Sequence, residues 1–196
     1  MKLDYNLGAP PRINAYTLLN IMPTAHAVAA RYIDPLQQAA DTYLIYTAPR
    51  LAAWLAQLAH ESGGLHYTQE VWGPTAAQQR YEGRQDLGNT HPGDGYRYRG
   101  RGLLQITGRA NYARCSLGLY GDANVLLDEP QRLEQPLDAC RSAAWYWHER
   151  NLNALADAED YLAITRRING GTNGWHDRLA YYQRARAALG MPRWEG

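Results

Sequence analysis

The sequence predicts a mainly α domain, with two helical lobes, at most one small β element and a long loop lining the cleft between them. Three observations predict it. Apolar residues recur at helical spacing in several separate segments. Proline and glycine signals bracket those segments. One stretch, Trp72 to Gly102, holds nine glycines and prolines and almost no aliphatic run. At 196 residues, 45% of them hydrophobic and 20% charged, the chain suits a single domain over residues 1–196 with a substantial core.

Taken in order, residues 1–12 read as an extended N-terminal arm. Asn14 or Thr24 offers a cap for a short helix. Asp34-Pro35 is a start signal, acid at the N-cap and proline at the first helical position. Pro49 opens the next helix in the same way. There Leu51, Trp54, Leu55 and Leu58 form an apolar stripe, and Gly63-Gly64 ends it. The 72–102 stretch carries a helix only at 75–81, and loops this long in compact domains are usually functional. Leu103-Leu104-Gln105-Ile106-Thr107 is the one candidate strand. Helical character returns at 108–117, 136–150, 157–167 and 173–189, with Trp145 and Trp147 read as packing.

Composition excludes several classes. A net charge of +1 supplies no field for nucleic acid. No apolar run approaches the roughly 18–20 residues of a membrane span, so membrane insertion is not expected. Lys2 is the sole lysine beside nineteen arginines. Arginine forks suit carboxylate-bearing ligands, although a biased genome produces the same count. Cys115 and Cys140 lack CxxC spacing and read as buried free thiols. The N-terminus has Asp4 and two prolines where a secretion signal needs about 7–15 unbroken apolar residues, so synthesis in the cytoplasm without a signal peptide is expected. A monomer without cofactor or metal is expected.

The chemistry gathers at Ala59-His60-Glu61-Ser62-Gly63-Gly64. About 100° per residue places Glu61 at the edge of the apolar stripe, neither in the core nor fully in water. Partial desolvation and the negative end of the helix dipole both disfavour the carboxylate there, as a proton donor requires. A solvated acid at a helix end is the plain alternative. His60-Glu61 followed by His66 is not a zinc site, because that motif needs the second His four residues after the first. A second carboxylate would have to activate water, about 6.5–9.5 Å away for an inverting glycosidase; Glu70, Glu82, Asp86 and Asp94 are the nearby candidates, and the residues alone do not choose. Trp72, Tyr96 and Tyr98 are aromatic sugar-platform candidates. Six arginines from Arg80 to Arg109 against three acids suggest a basic cleft margin.

Several motifs occur together: His60-Glu61-Ser62-Gly63-Gly64-Leu65, then Glu70, then Tyr98-Arg99-Gly100-Arg101-Gly102-Leu103-Leu104-Gln105-Ile106-Thr107, then Ile168-Asn169-Gly170-Gly171 and Asp177-Arg178. In this order, over about residues 35–190, they resemble glycoside hydrolase family 19, which contains chitinases and phage endolysins. Tyr81-Glu82-Gly83-Arg84 through Pro92-Gly93-Asp94-Gly95 resembles the endolysin branch. The resemblance implies a lysozyme-like fold and inverting hydrolysis of a β-1,4 linkage. It implies Glu61 as general acid and Glu70 as general base, with Glu82 in reserve. His60, Trp72, Tyr98, Gln105, Thr107, Asn111, Asn169 and Arg178 are the implied substrate-cleft residues, with Arg178 beside Glu70. Asn173 departs from the family by replacing an acid. The expected partner is the glycan strand of bacterial peptidoglycan, cut for host lysis after a holin-type opening releases the enzyme from the host cytoplasm. The alternatives are a chitinase, an injected antibacterial toxin and a non-catalytic glycan-binding module.

Overall fold

The computed structural model describes residues 10–196; the first nine residues of the predicted arm lie outside the described residues. Eleven α-helices follow one another: α1 Ala15–Ile21, α2 Ile33–Thr42, α3 Ala48–Glu61, α4 Ala76–Gln79, α5 Asp94–Arg97, α6 Arg109–Tyr120, α7 Val125–Asp128, α8 Pro136–Glu149, α9 Leu152–Asp157, α10 Tyr161–Asn169 and α11 Trp175–Ala188. Four 3-10 segments link them, at Pro23–Ala27, Ala29–Tyr32, Gln85–Leu87 and Pro130–Glu134. Among the described residues there is no sheet; two isolated bridges, Gln69 with Arg101 and Arg101 with Ile106, are the whole β content.

Local chemistry explains most boundaries. Asn14 caps α1 by accepting from the Thr17 amide at 2.9 Å, whereas Thr24 falls inside the Pro23–Ala27 segment and caps nothing. Helix α2 begins at Ile33, so Asp34 lies in its first turn rather than at its N-cap. Thr47 caps α3 one residue ahead of Ala48-Pro49. The predicted 157–167 helix is α10, which starts only at Tyr161 because Asp160 caps it, its carboxylate accepting from the Ala163 amide at 2.9 Å; the short α9 before it was not expected. Leu103–Thr107 is a tight turn, not a strand: Gln105 has a φ of +50°, which no strand residue adopts.

Helix α3 is more deeply placed than its apolar stripe suggests. Every residue from Leu51 to Ala59 is buried, and its most extensive partner is α11. Ala52, Ala53, Ala56 and Ala59 leave room for neighbours on the faces that the leucines and Trp54 do not occupy. Two hydrophobic cores result. The larger joins α1, α2, α3, α9, α10 and α11. The smaller gathers Tyr98, Ile106, Tyr112, Cys115, Leu126, Leu133 and Trp145. Helix α8 serves both, with Ala139, Cys140, Ala143, Ala144 and Trp147 in the first and Trp145 in the second. Cys115 and Cys140 are buried and free, one in each core.

The 72–102 stretch is folded rather than loose. Asn89 is fully buried, donating to the Tyr81 carbonyl at 2.8 Å and accepting from the Arg109 amide at 2.9 Å. Asp94, also buried, takes both ends of the Arg109 guanidinium at 2.6 and 2.7 Å. No helix among the described residues is long and apolar enough to cross a membrane.

Candidate active site

Glu61 ends α3 at the surface of the larger core, with its side chain 23% exposed. Arg178, in the first turn of α11 and fully buried, forms an ion pair with Glu61 Oε1. Its remaining donors go to Gln57 Oε1 and, at 3.1 Å, to the Asn173 carbonyl. Gln57 lies one helical turn before Glu61 and is itself anchored, donating to Thr165 Oγ1 at 2.9 Å. Oε2 of Glu61 has no hydrogen-bond partner among the described residues. The preceding residue is gripped in parallel: His60 Nδ1 meets Asp177 Oδ2 at 2.6 Å. Gly174, at a φ of +71°, lies against the His60 ring so closely that a Cβ would collide with it. Adjacent residues of α11 thus hold adjacent residues of α3.

Glu70 sits outside any helix. Its amide donates to the Gly100 carbonyl at 2.8 Å, and the Gly102 amide donates to Thr68 at 2.8 Å, so a short antiparallel pairing sets its place. Glu70 Oε1 accepts from Gln78 Nε2 at 3.0 Å and from the Tyr81 hydroxyl at 3.4 Å, while Oε2 accepts from the Gly100 amide at 3.3 Å. The Gln78 amide and the Gly100 N–H can only donate to Glu70, and the Tyr81 hydroxyl adds a third contact. Burial first, then the neighbouring Glu70, push the Tyr81 hydroxyl above its ordinary range, which keeps it a donor.

Both carboxylates line one cavity of about 260 Å³, with Tyr67, Gln69, Val71 and Gln105. It shares Glu70 with a neighbouring cavity of about 460 Å³ that includes Trp72, Tyr96 and Arg99. There Trp72 meets Tyr96 edge-on at 5.3 Å, and the Arg99 guanidinium covers Tyr96 at 4.3 Å. On the other side Gln105 leads into a cavity of about 190 Å³ with Thr107, Asn111, Trp145, Tyr146 and Arg150. Gln105 Nε2 donates to the Gly102 carbonyl at 2.9 Å, Thr107 Oγ1 to the Gln105 carbonyl at 3.0 Å, and Asn111 Nδ2 to the Thr107 carbonyl at 2.8 Å. Gly100 is needed beneath this turn, since a Cβ there would stand 2.5 Å from Gln105 Oε1.

Four expectations are corrected. Arg178 stands on Glu61, not beside Glu70, because α11 packs along α3 and the Glu70 segment does not. Tyr98 is 1% exposed, part of the smaller core, with its hydroxyl on the Leu127 carbonyl, so it offers no face to a sugar. Glu82 accepts from the Gly93 and Gly95 amides at 2.7 and 2.9 Å and so holds the turn into α5. The arginine margin is partly neutralised: Arg84 pairs with Asp86 at the surface, Arg101 with Glu134 and Arg109 with Asp94, and the exposed Arg97 bonds the Leu127 and Asp128 carbonyls. Asn169 is placed beside α11, its Nδ2 donating to the Asn173 carbonyl at 3.3 Å. Asn173 thus contributes through its backbone oxygen, which also receives Arg178. Among the described residues, no group of three or more His, Cys, Asp or Glu side chains could hold a metal ion.

Known proteins show the family and the fold. The chain is 34% identical over 160 residues to a glycosyl hydrolase family 19 domain-containing protein of Haemophilus influenzae, covering 67% of this chain and 76% of that one. The chain belongs to glycosyl hydrolase family 19. It is a glycoside hydrolase of chitinase-like kind. Two endochitinases of Arabidopsis thaliana are each 33% identical, and the chain spans only 45% and 53% of their lengths. No family model matches the chain. Among solved structures, chitinase C of Streptomyces griseus superposes with a TM-score of 0.74 at 24% identity, covering 94% of this chain and 79% of that one. A class IV family 19 chitinase of Zea mays gives 0.68 at 22%, over 90% and 92%. These likenesses establish the mainly helical, lysozyme-like fold of family 19.

Sequence reasoning missed Gln57, Gln78 and Tyr81. For Gln57 a signal existed: one amide inside an otherwise apolar helical run must find a partner. For Gln78 the Thr75-x-x-Gln78 spacing was a capping box, and that box is present. Tyr81 had no local signal.

Proposed function

We propose that this family 19 hydrolase cuts the glycan strand of bacterial peptidoglycan with inversion, Glu61 serving as general acid and Glu70 as general base. The observation that carries the reading is that the two carboxylates line one cavity, Glu61 paired with a buried arginine and Glu70 with neutral donors. Arg178 takes Oε1 of Glu61, and Oε2, which has no partner among the described residues, is the oxygen from which the proton would be delivered. As the glycosidic C–O bond breaks, that proton passes to the departing sugar oxygen. Glu70, ringed by donors, takes a proton from the water that bonds to the anomeric carbon from the opposite face. Thr107, Asn111 and Gln105 line the groove where an N-acetylated sugar would be oriented, and the Trp72–Tyr96 pair offers it an aromatic wall.

The endolysin-like 81–95 stretch and the Arg99 guanidinium at the cleft favour an anionic glycan. A lysis role follows in this reading, with the enzyme reaching the wall after a holin-type opening of the membrane. Chitin is the second reading, favoured by the endochitinase relatives. Mass spectrometry of digested peptidoglycan, run beside a colloidal chitin assay, tests both. The expected products end in reducing N-acetylmuramic acid. Release from chitin alone would transfer the chain to the second reading, and binding without release from either would remove catalysis.

A further inference from the structure

The groove continues past the acid pair, and its far end is built differently from the rest. The 460 and 260 Å³ cavities share Tyr67, Gln69, Glu70 and Val71, and the 260 and 190 Å³ cavities share Gln105. Beyond Gln105 the lining holds two arginines, Arg114 and Arg150, and no acid. Arg114 is exposed and already paired with Glu149 at 3.3 Å. Arg150 is half-buried. Its guanidinium lies 3.4 Å from the centre of the Tyr146 ring, and no carboxylate among the described residues pairs with it. The arginines buried in this fold are answered: Arg101 by Glu134, Arg178 by Glu61 and Arg186 by Glu159.

Gln105, which lines both this cavity and that of the acid pair, ties this end to the reaction. Tyr146 lines the same cavity, and burial raises its hydroxyl above the ordinary range, with Arg150 acting against that and Glu61 adding to it. The hydroxyl donates to the Ile168 carbonyl at 3.3 Å, which fixes the ring beneath the guanidinium. A planar fork already stacked and already desolvated on one face needs little ordering to receive a carboxylate bidentately. A neutral N-acetylglucosamine chain offers it only hydroxyl and amide oxygens, which leave the charge unanswered.

We propose that Arg150, stacked on Tyr146, reads a carboxylate on the substrate, that of the stem peptide or, on a muramic residue that carries no peptide, that of the free lactyl group, and so selects an acid-bearing glycan over a neutral one. This rests on the peptidoglycan reading above and names the group that reading's substrate presents to the enzyme.

The test compares wild type, Arg150→Gln and Arg150→Lys on native peptidoglycan and on peptidoglycan whose carboxyls have been amidated, with thermal melts to confirm folding. On native material Arg150→Gln is expected to raise KM about tenfold with kcat held, the signature of lost uniform binding, and Arg150→Lys to recover part of it. On amidated material the difference between the enzymes should vanish. Peptide-free strands, whose lactyl carboxyl is no longer amide-linked, assign the source: an Arg150→Gln effect on them that amidation abolishes selects the lactyl carboxylate of bare muramic residues, and no effect on them selects the peptide. Equal KM on native material, or an equal loss on amidated material, overturns the subsite while leaving the peptidoglycan reading intact. A wild type that releases nothing from peptidoglycan but cuts neutral chitin oligomers overturns both.

Discussion

Glu61 and Glu70 share a cavity and almost nothing else. Glu61 ends a helix buried on every side, and a fully buried arginine from a second helix holds it. Glu70 lies on irregular chain and is held by an amide, a phenol and a backbone N–H. One carboxylate is placed by the core and the other by the folded stretch that follows it. A proton donor gains from a fixed position, because its distance to the departing oxygen sets the rate. A base that must accommodate a water and a polymer can sit on a segment whose supports are side chains. The comparison teaches that the acid's geometry is a property of the whole domain, while the base's is a property of residues 69–101.

The largest effect expected is Glu61→Gln, which removes the proton and keeps the shape. Turnover should fall about 10³-fold or more, with the melting temperature little changed. Wild-type turnover in that variant would end the assignment of the acid. Next comes Glu70→Gln, for which a loss of at least about 10²-fold is expected. Glu82→Gln is its control, since Glu82 serves the Gly93–Gly95 turn. Its turnover should stay within about threefold of wild type. The reverse ranking would show that the base has been misplaced.

How much of this was readable from the chain follows the same division. The position of Glu61 was legible because it rests on local signals: Pro49, the apolar run and Gly63-Gly64 place it at a helix end without any knowledge of tertiary structure. The main helices were legible for the same reason. Arg178 was assigned to the wrong acid because its partner is 117 residues away, and only the packing of α11 on α3 decides it. Tyr98 read as a sugar platform because glycines surround it, yet the ring is drawn inward by Ile106, Tyr112 and Leu126, contacts with no sequence period. The Leu103–Thr107 strand failed on a single residue, Gln105, whose positive φ turns an apolar run into a corner. Spacing alone could not reveal that Arg84, Arg101 and Arg109 already answer carboxylates of the same chain.

Arg178 sharpens the comparison next, because it should matter to one carboxylate and not to the other. Arg178→Ala leaves Glu61 and Gln57 without their partner, at a cost of about 3 kcal/mol in urea unfolding. Turnover should drop as well. A double-mutant cycle separates the two effects. In a Glu61→Gln background the stability cost of removing Arg178 should shrink, because no charge is left unanswered. In a Glu70→Gln background the cost should remain whole. Equal costs in both backgrounds would mean that Arg178 is structural filling and not the support of the acid.

The smallest expected effect on catalysis belongs to a third carboxylate, Asp94, which neither holds nor lines the cavity of the acid pair. Burial alone would raise its pKa, but the Arg109 fork and the His91 amide outweigh that and hold it below the ordinary carboxylate value. The sign of the consequence follows. A carboxyl whose folded value is depressed contributes stability that is fully present above its unfolded value of about 3.9 and is lost as pH falls through the folded value. Wild type should therefore lose stability in acid partly through Asp94, and the 72–102 stretch that Arg109 anchors should loosen first. Asp94→Asn is expected to be less stable than wild type at pH 7, to show a shallower decline in melting temperature below about pH 4, and to keep its turnover at low temperature. Because the same stretch carries Gln78 and Tyr81, whatever activity the variant loses should appear as the failure of the base and not of the acid: a larger loss in wild-type background than in Glu70→Gln, and an undiminished one in Glu61→Gln.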